Sequence, residues 1–288
     1  MAPLPHPLDA AGLLRCPVCA AGIAPRAGSV TGGLRCAAGH SFDGAKQGYI
    51  NLLTGRGTSF TPDTAEMVAA RVEFLEGGHY LPLVESVAQT AGRLLADVAD
   101  PVVVDAGAGT GHYLAAVLHE VPSARAVALD LSKYALRRAA RGCPQALCLV
   151  WDLWRPLPLA DRAADLMLNI FAPRNAAEYA RVLKPGGHLL VVTPAPGHMD
   201  ALRQLMPLLA IDEDKSDRLA AAFRGMLHLE DVEELVVPLQ LGAEDVHNLV
   251  MMGPNAHHVD AAGLKGPDGP PTAVEARFTV SIFRKPLS

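Results

Sequence analysis

The sequence predicts an α/β protein: a seven-stranded, Rossmann-like sheet flanked by helices and preceded by a small metal-binding module. Three observations carry this expectation. From residue 101 onward, short apolar strand candidates alternate with helical segments, the pattern of a parallel sheet covered on both faces. The first of these strands runs directly into a glycine-rich turn. Two cysteine-bearing knuckles lie between Cys16 and His40. A chain of 288 residues is near the size at which one hydrophobic core stops growing, so one large domain plus a module is the natural arrangement. The expected division is 1–55 and 56–288. Apolar residues make up 50% of the chain and charged residues 19%, which excludes wholesale disorder.

Taken in chain order, the first element is a metal site. Cys16 and Cys19 form a Cys-x2-Cys knuckle, and Cys36 and His40 a Cys-x3-His knuckle; Pro25, Gly28, Gly32 and Gly33 supply turns between them. Two such knuckles present four donors to one tetrahedral zinc, and four protein ligands leave no open position, so one structural Zn2+ per chain is expected. The competing reading is a set of unmetallated thiols. A redox pair is disfavoured because no βαβ pattern surrounds it. Cys143 and Cys148 have no partner at metal spacing and read as small buried hydrophobes. Thr54 to Pro62, rich in Gly, Thr, Ser and Pro, reads as a linker.

Asp63, followed by Glu66, reads as a capping box opening a helix that Gly77-Gly78 stops. A second amphipathic helix is expected over Leu81 to Val98. Strands follow at Val102 to Asp105, Arg125 to Leu131, Ala146 to Trp151, Asp165 to Phe171 and His188 to Thr193. Leu235 to Leu239 and Ala276 to Phe283 complete the seven, the last alternating in period two as a half-buried antiparallel strand does. Gly253 to Pro271 reads as a long surface loop.

The turn after the first strand is Asp105-Ala-Gly107-Ala108-Gly109-Thr110-Gly111. Glycines there let backbone pass close to a cofactor. The next strand ends in Asp130, where a carboxylate can accept both hydroxyls of a ribose. A dinucleotide fold shares that acid but expects Gly-x-Gly-x-x-Gly and a pyrophosphate on the helix terminus. Here the turn is Gly-x-Gly-x-Gly, and the acid before it repels phosphate and attracts an ammonium. S-adenosyl-L-methionine (SAM) has an ammonium and no phosphate, which favours it over NAD. Asp152, after the third strand, suits the adenine amine. Leu183-Lys-Pro-Gly-Gly187 matches the turn usual in SAM enzymes.

The zinc knuckles, the segment Phe42-Asp-x-Ala-Lys-x-Gly-Tyr-x-Asn-Leu-Leu53, Gly78-His-Tyr80 and the SAM fold together resemble the RlmA family of bacterial 23S ribosomal RNA (guanine-N1) methyltransferases. Asn169-Ile-Phe-Ala-Pro-Arg-Asn175 and Asp63-Thr-Ala-Glu-Met-Val-Ala-Ala-Arg71 look most like the actinomycete branch that confers resistance to tylosin- and mycinamicin-type macrolides. The resemblance implies a class I SAM-dependent methyltransferase acting on the loop of a domain II hairpin near the peptide exit tunnel. It implies SAM contacts from Tyr80, Ala108, Gly109 and His198, zinc ligands at Cys16, Cys19, Cys36 and His40, and a homodimer. On sequence alone, Tyr80 reads as helix packing and His198 as a surface histidine.

For such a reaction, Asn169 at the end of the fourth strand is the candidate residue for positioning the target base. Its surroundings depart from the Asn/Asp-Pro-Pro-aromatic motif of exocyclic-amine methylases, which fits a ring nitrogen as acceptor. The charge pattern agrees with an RNA substrate. Residues 1–60 carry Arg15, Arg26, Arg35, Lys46 and Arg56 against Asp9 and Asp43, a net +3 on a chain whose total is −5. Arg35, Lys46 and Arg56 are the candidate RNA-backbone contacts. Two functions compete: a small-molecule methyltransferase whose zinc module is purely structural, and a non-catalytic RNA-binding protein on a decayed methyltransferase fold, against which the intact Asp105, Gly107, Gly109, Gly111 and Asp130 argue. With no apolar run long enough to span a bilayer and no export signal between Met1 and Leu14, the expected location is the cytoplasm, with no membrane partner.

Overall fold

The computed structural model describes residues 5–26, 32–55, 57–205, 215–253, 256 and 270–287. A 3-10 turn, Pro7–Leu13, is capped by His6 and leads into a small antiparallel sheet. That sheet has the order β1 (Ile23–Pro25), β2 (Leu34–Cys36), β3 (Ser41–Phe42), with Ile23 opposite Cys36 and Leu34 opposite Phe42. A fourth short strand, β4 (Tyr49–Asn51), leaves it.

Helix α1 spans Ala65–Glu76. Its cap is Thr64, whose hydroxyl accepts from the Met67 amide at 3.3 Å, and not Asp63 as expected. Asp63 is drawn away by an ion pair with Arg71 at 2.7 Å. Helix α2 (Leu81–Leu95) has Pro82 in its first turn, where no amide partner is lost, and buries Leu83, Val87, Ala91 and Leu95 along one face.

The expected alternation then follows: β5 (Val102–Ala106), α3 (His112–Glu120), β6 (Arg125–Asp130), α4 (Lys133–Gly142), β7 (Ala146–Val150), β8 (Ala164–Ile170), α5 (Ala176–Val182) and β9 (Leu183–Pro194). The chain continues through α6 (Asp200–Leu205), α7 (Lys215–Phe223), β10 (His228–Leu241), α8 (Ala243–Met251) and β11 (Thr272–Arg284). The sheet order is β10-β11-β9-β8-β5-β6-β7-β4. Strands β4 to β9 pair in parallel, and β11 runs antiparallel to both β9 and β10. All seven expected strands are present.

Among the described residues the sheet nevertheless has eight strands. Its extra edge is β4, which pairs in parallel with β7 (Ile50 opposite Leu149) although it belongs to the N-terminal segment. A three-residue strand with one buried apolar side chain, Ile50, is too short to show periodicity in sequence. Strand β10 is also far longer than expected. Glu230, Asp231, Glu233 and Glu234 mask its first half, and Glu230 reaches Arg284 on β11 and His188 on β9, each at 3.2 Å. Most of the expected loop over Gly253 to Pro271 lies outside the described residues.

One core lies on each face of the sheet. On the first, Phe74, Leu83, Leu114 and Phe278 pack beneath α1 to α3. On the second, Leu14, Leu34, Phe42 and Ile50 of the N-terminal segment share a cluster with Val104, Leu149, Tyr179 and Phe283. Among the described residues the small module therefore has no core separate from the sheet, and the large sheet forms its floor.

Candidate metal centre and cofactor cavity

The Cys16, Cys19, Cys36 and His40 donor atoms all lie within 4.8 Å of one another. Cys19 Sγ is 3.7 Å from Cys36 Sγ, and His40 Nδ1 is 3.6 Å from Cys16 Sγ and 3.3 Å from Cys36 Sγ. These spacings suit the edges of a tetrahedron around a zinc with metal–sulfur bonds of ~2.3 Å. Local turns set them: the Ala20 and Gly39 amides reach back to the Cys16 and Cys36 carbonyls, closing each knuckle. Four protein donors fill the coordination shell, so the ion is structural. Cys143 and Cys148 are fully buried elsewhere, their thiols pushed up to about 12 by burial, and neither approaches this site.

The second feature is a cavity of about 740 Å³ at the C-terminal ends of the parallel strands. It opens where the strand order reverses, with β6 and β7 on one side of β5 and β8 and β9 on the other, the crevice where open α/β sheets hold ligands. The turn after β5 builds its floor. Gly107 has φ +97°, and a Cβ there would sit 2.2 Å from the Ala172 Cβ. Gly111 has φ +78°, and its Cβ would meet the Ala139 backbone at 2.9 Å. Both positions require glycine.

Asp130 fastens this turn: its carboxylate accepts the Gly109 amide at 2.8 Å and the Ser132 amide at 2.7 Å. Burial raises its pKa, and the two amides oppose that rise. Asp105 also lines the cavity, and burial, helped by the nearby Asp130 charge, pushes its carboxyl up to about 8. It is a neutral acid at pH 7 that an incoming ammonium would ionise. Asp152 accepts Thr58 Oγ1 at 2.8 Å and the Trp154 amide at 3.0 Å. Tyr80, Ala108, Gly109, Thr110 and His198 line the same cavity. Tyr80 is buried, edge-on to Phe74 and Phe278 at 5.1 and 4.9 Å, and burial raises its phenol well above the usual range. His198 Nδ1 lies 2.7 Å from the Arg277 carbonyl and 3.1 Å from the Arg277 amide, and burial lowers its pKa to about 4, so the ring is neutral.

These residues fit SAM. The fit rests on the cradle that a Cβ at Gly107 would fill and on a buried, neutral Asp105 facing the same space. Asp130 and Asp152 would hold ribose and adenine, and Asp105 and the glycine turn the amino-acid tail. A carboxyl raised from 3.8 to about 8 on folding destabilises the empty protein progressively as pH climbs through that window, because only the unfolded chain ionises freely there. A docking ammonium reverses the bias, so SAM binding at pH 7 is expected to release close to one proton. Calorimetry in two buffers of different ionisation heat measures this. Asp105→Asn should eliminate the release, and a wild type that releases no proton would refute the assignment.

Two sequence expectations change. Asn169 does not face the crevice. It is fully buried behind the wall, where Nδ2 donates to the carbonyls of Ala106 (3.1 Å) and Pro173 (2.9 Å) and to the Tyr179 hydroxyl (3.1 Å). These bonds hold it against backbone, its buried Oδ1 has no partner among the described residues, and it is not part of the cavity lining. The linker is also more than a tether. Phe60 to Asp63 line the cavity, Thr58 bonds Asp152, Phe60 stacks on Trp154 at 6.2 Å, and the Arg155 guanidinium donates to the Gly57 carbonyl. Arg71, which also lines the cavity, was visible in sequence only as one charge on a helix face. Arg35 and Lys46 are exposed on the N-terminal module; Arg56 lies outside the described residues.

Comparison with known proteins agrees with this geometry. Residues 14–55 match the family model described as the N-terminal zinc ribbon of RlmA, and residues 103–187 match a methyltransferase domain. The chain is 48% identical, over 91% of its length and 90% of the relative's, to a putative 23S rRNA (guanine-N(1)-)-methyltransferase from Micromonospora griseorubida. It is 47% identical, over 86% of each chain, to the 23S rRNA (guanine(748)-N(1))-methyltransferase of Streptomyces fradiae. A Bacillus subtilis protein named as a putative 23S rRNA (guanine-N(1)-)-methyltransferase is 32% identical over 67% of this chain and 68% of its own. With a zinc ribbon, a SAM cavity and identity of this extent running through both, the chain belongs to the RlmA family of SAM-dependent methyltransferases.

Proposed function

We propose that the protein methylates guanine N1 in the domain II hairpin loop of 23S ribosomal RNA, near the peptide exit tunnel, and so confers resistance to tylosin- and mycinamicin-type macrolides. The observation that carries the reading is the joining of a SAM cavity and a zinc ribbon through one sheet, within a chain nearly half identical to two enzymes named for this reaction. Bound SAM supplies a methyl group already activated by its sulfonium. The chain's own residues then have two tasks, alignment of that group and reception of a base taken out of its stack. Primer extension on ribosomal RNA from cells with and without the gene tests the proposal. N1-methylguanine blocks Watson–Crick pairing and stops reverse transcriptase at its position. Read-through identical in both strains would overturn it.

The exposed Arg35 and Lys46, with Arg56, supply the RNA-backbone grip in this proposal. Replacing all three with Gln is expected to weaken hairpin binding and to flatten its salt dependence by about 0.7–0.9 of slope per lost phosphate contact. SAM affinity should stay unchanged. Filter binding in rising salt reads both proteins; equal slopes would remove these residues from the interface, and an absence of RNA binding in the wild type would favour a small-molecule substrate. A homodimer belongs to the same proposal, supported by the long edge strand β10 with Leu229, Val232 and Val236 exposed along it, and light scattering decides it.

A further inference from the structure

We propose that Phe171 and Arg174, on the loop that follows β8, form the receiving face for the extruded guanine, with the Phe171 ring stacking on the base and the Arg174 guanidinium bonding its O6. This rests on the guanine-N1 reading above. The sheet order divides the cavity. The two acids suited to ribose and adenine follow β6 and β7, so the acceptor enters from the other side of the glycine turn, over β8 and β9.

Phe171 stands at that entrance in an unusual state. It is a bulky residue at φ +53°, and it is 43% exposed although it lines the cavity. Strain of that kind persists only where the surroundings impose it. Here they do. The Phe171 amide bonds the Val192 carbonyl at 3.1 Å. Further along the loop, the Pro173 carbonyl accepts from both Asn169 Nδ2 and the Tyr179 hydroxyl, each at 2.9 Å. Asn175 then donates to the Leu153 carbonyl at 3.1 Å. The ring rests against Phe278, at 5.6 Å, and against Tyr113 and Tyr80 at 6.4 and 6.5 Å, while the rest of its surface stays open. A rigid aromatic face held half in solvent at a cavity mouth suits a planar base.

Arg174 supplies the second observation. Arg174 is half-buried, lines the cavity and has no hydrogen bond or ion pair among the described residues, so a partly desolvated cation stands there with no described anion beside it. Guanine provides the complement. Neutral guanine carries a proton on N1; as that proton passes to solvent water, negative charge spreads to O6. The N1 electron pair then forms the new bond to the methyl carbon while the carbon–sulfur bond breaks, its electrons leaving with sulfur as S-adenosylhomocysteine. A guanidinium at O6 stabilises the charge during that interval and prefers guanine to adenine, which has a donor amine at the same place.

The test uses the full-length zinc-loaded protein, a transcript of the 23S hairpin and methyl-labelled SAM. A wild type that leaves N1 unmethylated would end the parent reading and is seen before any variant is made. With an active wild type, Phe171→Ala is expected to lower kcat/KM for RNA by roughly tenfold to a hundredfold, with SAM affinity unchanged. Phe171→Asn, which tolerates the left-handed backbone while deleting the ring, should behave the same, and Phe171→Tyr should restore activity. Arg174→Gln should move the rising limb of the kcat/KM profile to higher pH by about one unit, because the N1 proton then leaves less readily. Full activity in Phe171→Ala, or an unmoved pH profile in Arg174→Gln, would overturn the corresponding half.

Discussion

Gly107→Ala is expected to eliminate SAM binding. The new Cβ would lie 2.2 Å from the Ala172 Cβ, and the backbone at φ +97° rejects an L side chain even where space exists. The wrong-handed backbone costs about 1–2 kcal/mol, and overpacking adds about 1–3 kcal/mol. Ala172 cannot retreat, since its loop is pinned at Phe171 and Pro173. The turn itself must therefore move out of its cradle, and with every ~1.4 kcal/mol worth about tenfold in affinity, strain of this size amounts to about a hundredfold. Calorimetry should detect at least that loss, with melting lowered by roughly 5–15 °C. Gly109→Ala is the milder comparison, because its Cβ would meet only the Arg71 guanidinium at 3.4 Å. Wild-type SAM affinity in Gly107→Ala would show that the cofactor does not lie on this turn.

Cys36→Ser is expected to release the zinc and to loosen more than the ribbon. Structural zinc contributes on the order of 10 kcal/mol in isolated fingers, and three remaining ligands hold it poorly. Because β4 pairs with β7 and the ribbon shares a core with Val104 and Leu149, the damage should cross into the sheet. Hydrogen exchange should rise in β4 and then β7, while β5, β6 and β8 stay protected by parallel neighbours on both sides. Metal analysis should find about one equivalent in the wild type and little in the variant. Undiminished metal in Cys36→Ser would remove Cys36 from the ligand set, and unchanged exchange at β7 would mean that the two parts are mechanically independent.

What the sequence revealed of this molecule depended on how local each signal was. The zinc ligands and the glycine turn were legible because their chemistry is fixed by spacing over a few positions, and the structure brings Cys16, Cys19, Cys36 and His40 together as that spacing implied. Strands β5 to β8 announced themselves as apolar runs, since both of their faces are buried. Strand β4 did not, because its pairing partner lies far along the chain and it has only Ile50 to bury. The wall formed by Phe60 to Asp63 was hidden for the opposite reason: turn-rich composition reads as tether whether or not the segment lies against a cavity. Asn169 was placed on the right strand but the wrong side, because rotation about a strand end is decided by acceptors such as the Pro173 carbonyl, which no periodicity encodes.

The lent strand β4 also limits how this protein could be recombined. A zinc ribbon with its own core could be moved between genes as a cassette and appended to any methyltransferase. This one could not. A transplant of residues 1–55 would arrive with Ile50 and Leu52 uncovered, and its donor would be left with a bare β7 edge beside the carboxylate of Asp152. Ribbon and sheet are therefore bound to vary together, each substitution at the Ile50–Leu149 contact constraining what its opposite number can become.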